Sequence, residues 1–422
     1  MGQDYLAEVT KEAMGASKNQ LSQITVSSDR DISLGPGLAS VPERLLLAHA
    51  RGEVLIVAGA GISQPSKLPN FRELVIKIYK KLDSAVHAVI SIVPLGAHNQ
   101  YEANHSGLTN QQSAEVNRFI SGDYDVVLGM LERRMDGQSH GKSRVRQALA
   151  DEFRTPSPKP ASIHRALIRL ADRGSTVTIA TTNFDLLLED AARSLKQSVQ
   201  SYALGGIPRP GHSEDFSGVL HIHGALGRDP SRASNLILTD QDFGEFYLRR
   251  RVVPDFIYDS ARLFNIVLVG YSANDPPMRY LFNAVAADGT RFKDLKERFT
   301  FIGGKVVPDS VSLEDWRGRG ITPIPYDEEN GHEALLGTLE RWAKLSPNNG
   351  KRSLVDTEMK GIVRKRRSAA SDAERDLFDH LIRRSDHNER VRFAALVSQQ
   401  GADLGWLDAI TTIATEKELE SL

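Results

Sequence analysis

Val54-Leu55-Ile56-Val57-Ala58 is an unbroken apolar run that stops at Gly59-Ala60-Gly61. A run rich in β-branched residues and lacking polar alternation suits a parallel strand buried on both faces. Downstream, Phe71, Leu74, Val75, Ile78 and Leu82 recur at helical spacing. Strand, glycine turn and helix form the opening unit of a nucleotide-binding α/β sheet. A sheet of that kind requires further apolar strands alternating with helices.

That alternation is present. Val177–Thr181, Val219–His223, Ile266–Val269, Phe299–Ile302 and Ile321–Tyr326 read as strands, and Ser162–Arg173, Asp185–Ser194 and Glu333–Leu345 as helices. The fold class expected is α/β: a doubly wound, Rossmann-like parallel sheet with a helical insertion and a small helical C-terminal region. Residues 1–40 read as an N-terminal arm, 41–345 as the nucleotide-binding domain and 346–422 as the helical C-terminal region. Within the middle part, 83–160 is the insertion, with helices expected at Val116–Arg134 and Lys142–Phe153. Pro347-Asn348-Asn349-Gly350 marks the last boundary.

With 422 residues the chain can hold two or three domains, and a net charge of −1 gives no general attraction to nucleic acid or anionic lipid. Lys351–Arg367 is locally basic. It reads first as a solvated helix face, and second as a contact for an acidic partner or nucleic acid. No apolar run approaches the roughly 20 residues of a membrane span. The start lacks the build of a signal peptide, and Leu6 stands where myristoylation needs Ser or Thr. The chain has no cysteine, which excludes disulfides and cysteine-ligated zinc. A cytoplasmic protein is expected.

Four motifs stand at or beside predicted strand ends. In Gly59-x-Gly61-x-Ser63 the glycines allow the backbone close to a pyrophosphate at a helix start. Pro65 occupies the place of the third glycine of a hydride-transfer fingerprint. Thr181-Thr182-Asn183-Phe184-Asp185 ends a strand where ligands bind in open α/β sheets, although Asp185 could equally cap the following helix. His221 and His223 would share one face of a strand. His223, before Gly224, is the candidate general base, and a His-x-His metal site lacks an identifiable third ligand. Gly270-Tyr271-Ser272-Ala273-Asn274-Asp275 follows another strand, with Asp275 suited to capping.

Taken in order, these motifs resemble the NAD site of sirtuins. Gly59-Ala60-Gly61-Ile62-Ser63 and Leu68-Pro69-Asn70-Phe71-Arg72 resemble Gly-Ala-Gly-x-Ser and Ile-Pro-x-Phe-Arg. Thr181–Asp185 resembles Thr-Gln-Asn-Ile-Asp, with Thr182 in place of Gln. His223-Gly224 matches the family's His-Gly, and Gly270-Tyr271-Ser272 is similar to the loop of bacterial sirtuin-like defence proteins. The resemblance covers about 40–345.

It implies that Gly59, Ala60, Gly61, Ser63, Phe71, Arg72, Thr182, Gly270 and Ser272 contact NAD. It further implies that Asn183 positions water or ribose near C1′, that Asp185 bonds the carboxamide and that His223 is the base. The family's deacetylases carry a four-cysteine zinc module that this chain cannot build. The implied activity is therefore an NAD glycohydrolase, with NAD as substrate and no zinc, gated and acting in antiphage defence. Homo-oligomers and a HerA-type ATPase are the implied partners, with no membrane and no direct nucleic-acid ligand. The alternatives are a zinc-free deacylase, an ADP-ribosyltransferase and a non-catalytic nucleotide-sensing module.

Overall fold

The computed structural model describes residues 30–96, 101–137, 143–153, 158–174, 176–211, 216–226, 235–271, 294–304, 310–347 and 352–420. Two compact units are present, one made of Glu53–Lys351 and the other of Met1–Gly52 together with Arg352–Leu422. The division thus falls at residue 53, whereas the sequence suggested 41.

The reason lies in how the described part of the smaller unit packs. Strands β1 (Asp31–Ser33) and β2 (Ser40–Pro42) pair antiparallel and lead into the helix Glu43–Ala50. Glu43 is buried and accepts two bonds from Nη1 of Arg383, on the helix Asp372–Arg383. Phe378 and Trp406 pack at a tilt in the same core with ring centroids 4.6 Å apart. The helices Arg352–Ile362, His387–Gln399 and Leu404–Glu420 complete the unit.

The larger unit is built on seven strands: β3 (Val54–Ala58), β4 (Thr178–Thr181), β5 (Ser201–Ala203), β6 (Gly218–His221), β7 (Asn265–Val269), β8 (Arg298–Gly304) and β9 (Thr322–Asp327). Their spatial order is β5-β6-β4-β3-β7-β8-β9, and every pairing is parallel. The expected doubly wound sheet is the one that forms. From β3 the sheet extends on one side through β4 and β6 to β5 at the edge, and on the other through β7, β8 and β9, so the topological switch lies between β3 and β7. Strand β5 is an edge strand of three residues, half-exposed and without an apolar run to mark it.

The central strands are buried on both faces. Leu55, Val57, Ala180, Leu220, Ile266 and Leu268 share a core with Phe256 and Ile257 of the helix Val252–Leu263. Their alternate neighbours Ile56, Ile179 and Val267 are equally buried. The helix Ser162–Ala171 packs against β3 and β4, and against the helix Glu329–Leu345.

Register aligns the motifs. Ala58 pairs with Thr181 and with Val269, and Thr181 pairs with His221. The first residues beyond the four central strands, Gly59, Thr182, Ile222 and Gly270, therefore emerge side by side at the carboxyl edge.

The insertion forms its own apolar cluster from the helices Ser84–Ile90, Asn110–Ile120, Tyr124–Asp136 and Arg144–Glu152, packed with Phe71–Leu82. The single helix expected over Val116–Arg134 is two helices. Gly122, at φ +81°, breaks it between Ile120 and Tyr124. Within the cluster Arg146 is 1% exposed, bonded to Glu132 (3.0 Å) and doubly to Asp242 (2.7 and 2.9 Å).

Candidate functional site

The glycine turn does a different job from the one its pattern suggested. Gly59 N–H donates to Val269 O (2.8 Å), and Gly61 N–H donates to Gly270 O (2.9 Å). A Cβ at Gly59 would lie 2.7 Å from Gly270 O, and one at Gly270, itself at φ +79°, would lie 2.8 Å from Ile62 N. The glycines are required because the tips of β3 and β7 touch. Those two N–H groups are therefore engaged within the protein, and not turned toward a phosphate. Ala60 is exposed at the start of a 3₁₀ turn, Ala60–Ser66, and the α-helix begins only at Phe71.

Ser63 is buried at the centre of a hydrogen-bond hub. Its Oγ donates to Asp185 Oδ2 (2.8 Å) and accepts from Asn183 Nδ2 (3.1 Å). His164 Nε2 stands 3.4 Å away. Ala161 N–H donates to Nδ1 of that ring (3.1 Å), so the neutral tautomer carries its proton on Nε2, toward Ser63. Burial pushes the His164 pKa down to about 4, which keeps the ring neutral. The helix carrying His164 was legible in the sequence, but nothing in the spacing tied this residue to the site.

Asn183 is fixed from both ends. Its backbone N–H donates to Thr181 Oγ1 (3.0 Å), which itself donates to Ala58 O. Its Nδ2 donates to Gly59 O (3.1 Å) as well as to Ser63. The flipped amide would set its oxygen against the carbonyl of Gly59, so the orientation is determined by the network. The remaining atom, Asn183 Oδ1, is buried and has no hydrogen-bond partner among the described residues. Asp185 Oδ1 accepts from Leu187 N–H (3.0 Å) at the start of the helix Leu187–Ser194, so this carboxyl both caps the chain turn and holds Ser63. Burial raises its pKa, against the lowering effect of those two bonds.

The two histidines do not share a face. Strand β6 ends at His221, and the chain turns at Ile222 and His223. His221 is fully buried, with Nδ1 2.9 Å from Asn183 O and Nε2 2.8 Å from Glu189 Oε1. Burial disfavours a charged ring, yet the Glu189 carboxylate, aided by the Asn183 carbonyl, holds the His221 pKa above its ordinary value. His223 faces elsewhere. Its Nε2 is 2.6 Å from Tyr247 Oη, and its ring meets Phe243 edge-on. Burial drives its pKa down to about 3. Tyr247 lies in a π-helical turn, Gly244–Arg249.

The other predicted contacts divide. Thr182 Oγ1 is 2.9 Å from Tyr271 Oη, which also donates to Ala58 O (3.1 Å), so both residues join the β3–β7 tip. Phe71 packs edge-on against Tyr124 of the insertion, and Arg72 bonds Val93 O and lies over the Phe119 ring. Ser272, Asn274 and Asp275 lie outside the described residues. Glu189 and Tyr247 had no signature of their own, whereas Tyr271 stood inside the Gly270-Tyr271-Ser272 triplet without a role assigned to it.

Among the described residues no helix is long and apolar enough to cross a membrane, and no group of three His, Asp or Glu is arranged to hold a metal.

Comparison with known proteins gives the following. Residues 177–324 match the family model of the SIR2-like domain. This segment carries the Asn183 turn, both histidines and Gly270, while Gly59–Ser63 precedes it. The uncharacterized protein y4cA of Sinorhizobium fredii (strain NBRC 101917 / NGR234) is 32% identical over 371 residues, 84% of this chain. The chain spans only 28% of the length of that relative. A solved chain from work on the mechanism and regulation of Sir2 enzymes aligns with 72% of this chain and 96% of its own, at 16% identity and a TM-score of 0.34. No residue role is transferred at that score. The SIR2-like segment thus runs from β4 into β9, carries Asn183 and the two histidines, and leaves out β3 with its glycine turn.

Proposed function

We propose that the chain hydrolyses NAD at the nicotinamide–ribose bond, releasing nicotinamide and ADP-ribose. The observation that carries this reading is Asn183 Oδ1. A buried acceptor with no partner among the described residues, on an amide clamped by Gly59 and Ser63 at the carboxyl edge of the sheet, is suited to a ribose hydroxyl or a water. The SIR2-like match supports NAD as the ligand.

In this reaction the C1′–N bond breaks and its electron pair leaves with nicotinamide. A water adds to C1′, and its proton is released. Asn183 would hold the water or ribose in line, which is where an enzyme gains most in such a step. His223 would accept the proton only once exposed, because burial in the closed site lowers its pKa to about 3, too weak a base at working pH. Its Nε2 is engaged by Tyr247, so that contact must open first, and this is the chain's own reason to expect a gated enzyme. The resemblance of Gly270-Tyr271-Ser272 to bacterial defence proteins extends the proposal to NAD depletion during phage infection. A homo-oligomer, with or without a HerA-type ATPase, would be the acting form.

Purified protein incubated with NAD, with nicotinamide and ADP-ribose resolved by chromatography, tests the reaction. Asn183→Ala and His223→Ala should each lose turnover by at least about a hundredfold with the fold intact, the usual scale for acid–base and positioning groups. Full turnover in Asn183→Ala would reject the reading. NAD levels in phage-infected cells carrying wild type or Asn183→Ala test the defence role.

A further inference from the structure

A cleft of about 760 Å³ opens between the loop 205–210, which follows β5, and the start of the helix Val252–Leu263. This is the size of a small-molecule site. Neither Asn183 nor any residue of the Gly59 turn lines it. Its wall includes Arg209, Arg250 and Arg251, the aromatic side chains Phe256 and Tyr258, and Ile222.

The chemistry of the lining is mixed in a specific way. Arg250 is paired with Glu245 and Arg251 with Asp255, whereas Arg209 is exposed and forms no ion pair among the described residues. The first N–H groups of the adjoining helix have no intrahelical acceptor. Arg251 sits at φ +55°, a left-handed conformation that disfavours a side chain, and it joins the π-helical turn to the α-helix. Strained residues and π turns concentrate where a protein binds or switches. On the same lining Asp259 offers an acceptor, while Asp255 is paired with Arg251. The exposed Arg209 guanidinium for a phosphate, the half-buried Tyr258 ring for a base and the Asp259 carboxylate for ribose hydroxyls or ring amino groups together match a nucleotide, with Phe256 forming the apolar floor.

We propose that this cleft binds a phosphate-bearing nucleotide as an effector, separate from the NAD position. Two links run from it to His223. Ile222, in its wall, is the residue before His223. Arg250 and Arg251 directly follow the π turn that holds Tyr247 against the His223 ring. A ligand drawing on Arg251 and the helix start would bias that turn, and with it the Tyr247 contact. The control of turnover rests on the NAD-cleaving reading, and the binding itself does not.

The test uses the full chain, with ADP and inorganic pyrophosphate as probes by titration calorimetry. It compares wild type with Arg209→Ala/Arg251→Gly, in which glycine accepts the positive φ without strain. Expected are ADP binding that weakens at least tenfold in the double variant, and pyrophosphate binding weaker than ADP. NAD affinity, compared in an Asn183→Ala background that prevents turnover, should be unchanged by the double substitution. ADP binding equal in the two proteins, or none at millimolar ADP, would overturn the site. A parallel fall in ADP and NAD affinity would overturn it too, by making the cleft part of the NAD position. Pyrophosphate binding as tightly as ADP would overturn the nucleotide assignment. In turnover assays ADP should change the wild-type rate and leave the double variant's rate unchanged. ADP binding as expected in a protein without turnover would leave the site standing and reject the NAD-cleaving reading.

Discussion

His221 Nε2 stands 2.8 Å from Glu189 Oε1, and the opposite ring nitrogen, Nδ1, lies 2.9 Å from the carbonyl of Asn183. Both nitrogens face acceptors, which only a doubly protonated ring can satisfy. A buried imidazolium thus tethers the backbone of Asn183, whose side chain holds the site's unpartnered acceptor. Positioning of Asn183 thereby depends on a charge pair one strand away.

Glu189→Gln removes the charge and keeps the shape. Burial then acts on His221 against only the Asn183 carbonyl and the Asp185 charge, so its pKa should fall. Histidine ring resonances followed by NMR against pH read this directly. A His221 titration unmoved by the substitution would show that Glu189 does not hold the charge.

Arg146 is a second buried charge with two carboxylate partners, Glu132 and Asp242. It also donates to Leu236 O, so it joins the insertion to the segment that leads into Phe243 and Tyr247. Arg146→Met strands two buried carboxylates, which costs on the order of 3–5 kcal/mol. Urea denaturation should show that loss. Arg146→Met/Asp242→Asn should lose less than the sum of the single changes, because residues in one network are not additive.

The alternation of apolar runs made the sheet legible before any coordinates, and the register brought Gly59, Thr182, Ile222 and Gly270 together as their strand ends suggested. What stayed hidden follows from the range of the interactions. His164 reaches Ser63 across 101 residues, and Tyr247 reaches His223 from a π turn with no sequence pattern. The histidine pair was misread because a strand's two-residue period was extended past His221, where the chain already turns. The glycines were visible, but their partner, the tip of β7, was not. A Gly-x-Gly pattern cannot distinguish a backbone that approaches a phosphate from one that approaches another strand.

Acid stability should report the neutral buried histidines. The His164 pKa is lowered to about 4, whereas the unfolded ring titrates near 6.5. Between those values the unfolded chain binds a proton that the native protein refuses. Its contribution to stability is therefore complete above pH 6.5 and is lost as pH falls toward 4. Asp185, with its raised pKa, acts in the opposite sense, so the comparison must be between proteins. His164→Gln should show a shallower fall in Tm from pH 7 to pH 4.5 than wild type. Parallel curves would mean that His164 titrates normally in the fold.

Gly270 offers the sharpest test of the β3–β7 contact. At φ +79° any side chain there is strained, by roughly 1–2 kcal/mol from the left-handed conformation alone. Gly122→Ala isolates that term, since Gly122 has φ +81° and its Cβ would meet nothing within 4 Å. Gly270→Ala adds a methyl 2.8 Å from Ile62 N and 3.1 Å from Gly59 O. Relief requires the tips of β3 and β7 to part, which lengthens the Gly61 N–H to Gly270 O bond and moves the Gly59 carbonyl that orients Asn183. Gly270→Ala should therefore lose clearly more stability than Gly122→Ala by denaturant unfolding. It should also lose NAD turnover, which Gly122→Ala retains. Equal losses of stability in the two variants would mean that the strand tips yield to a methyl group and that the glycine is needed for its φ alone.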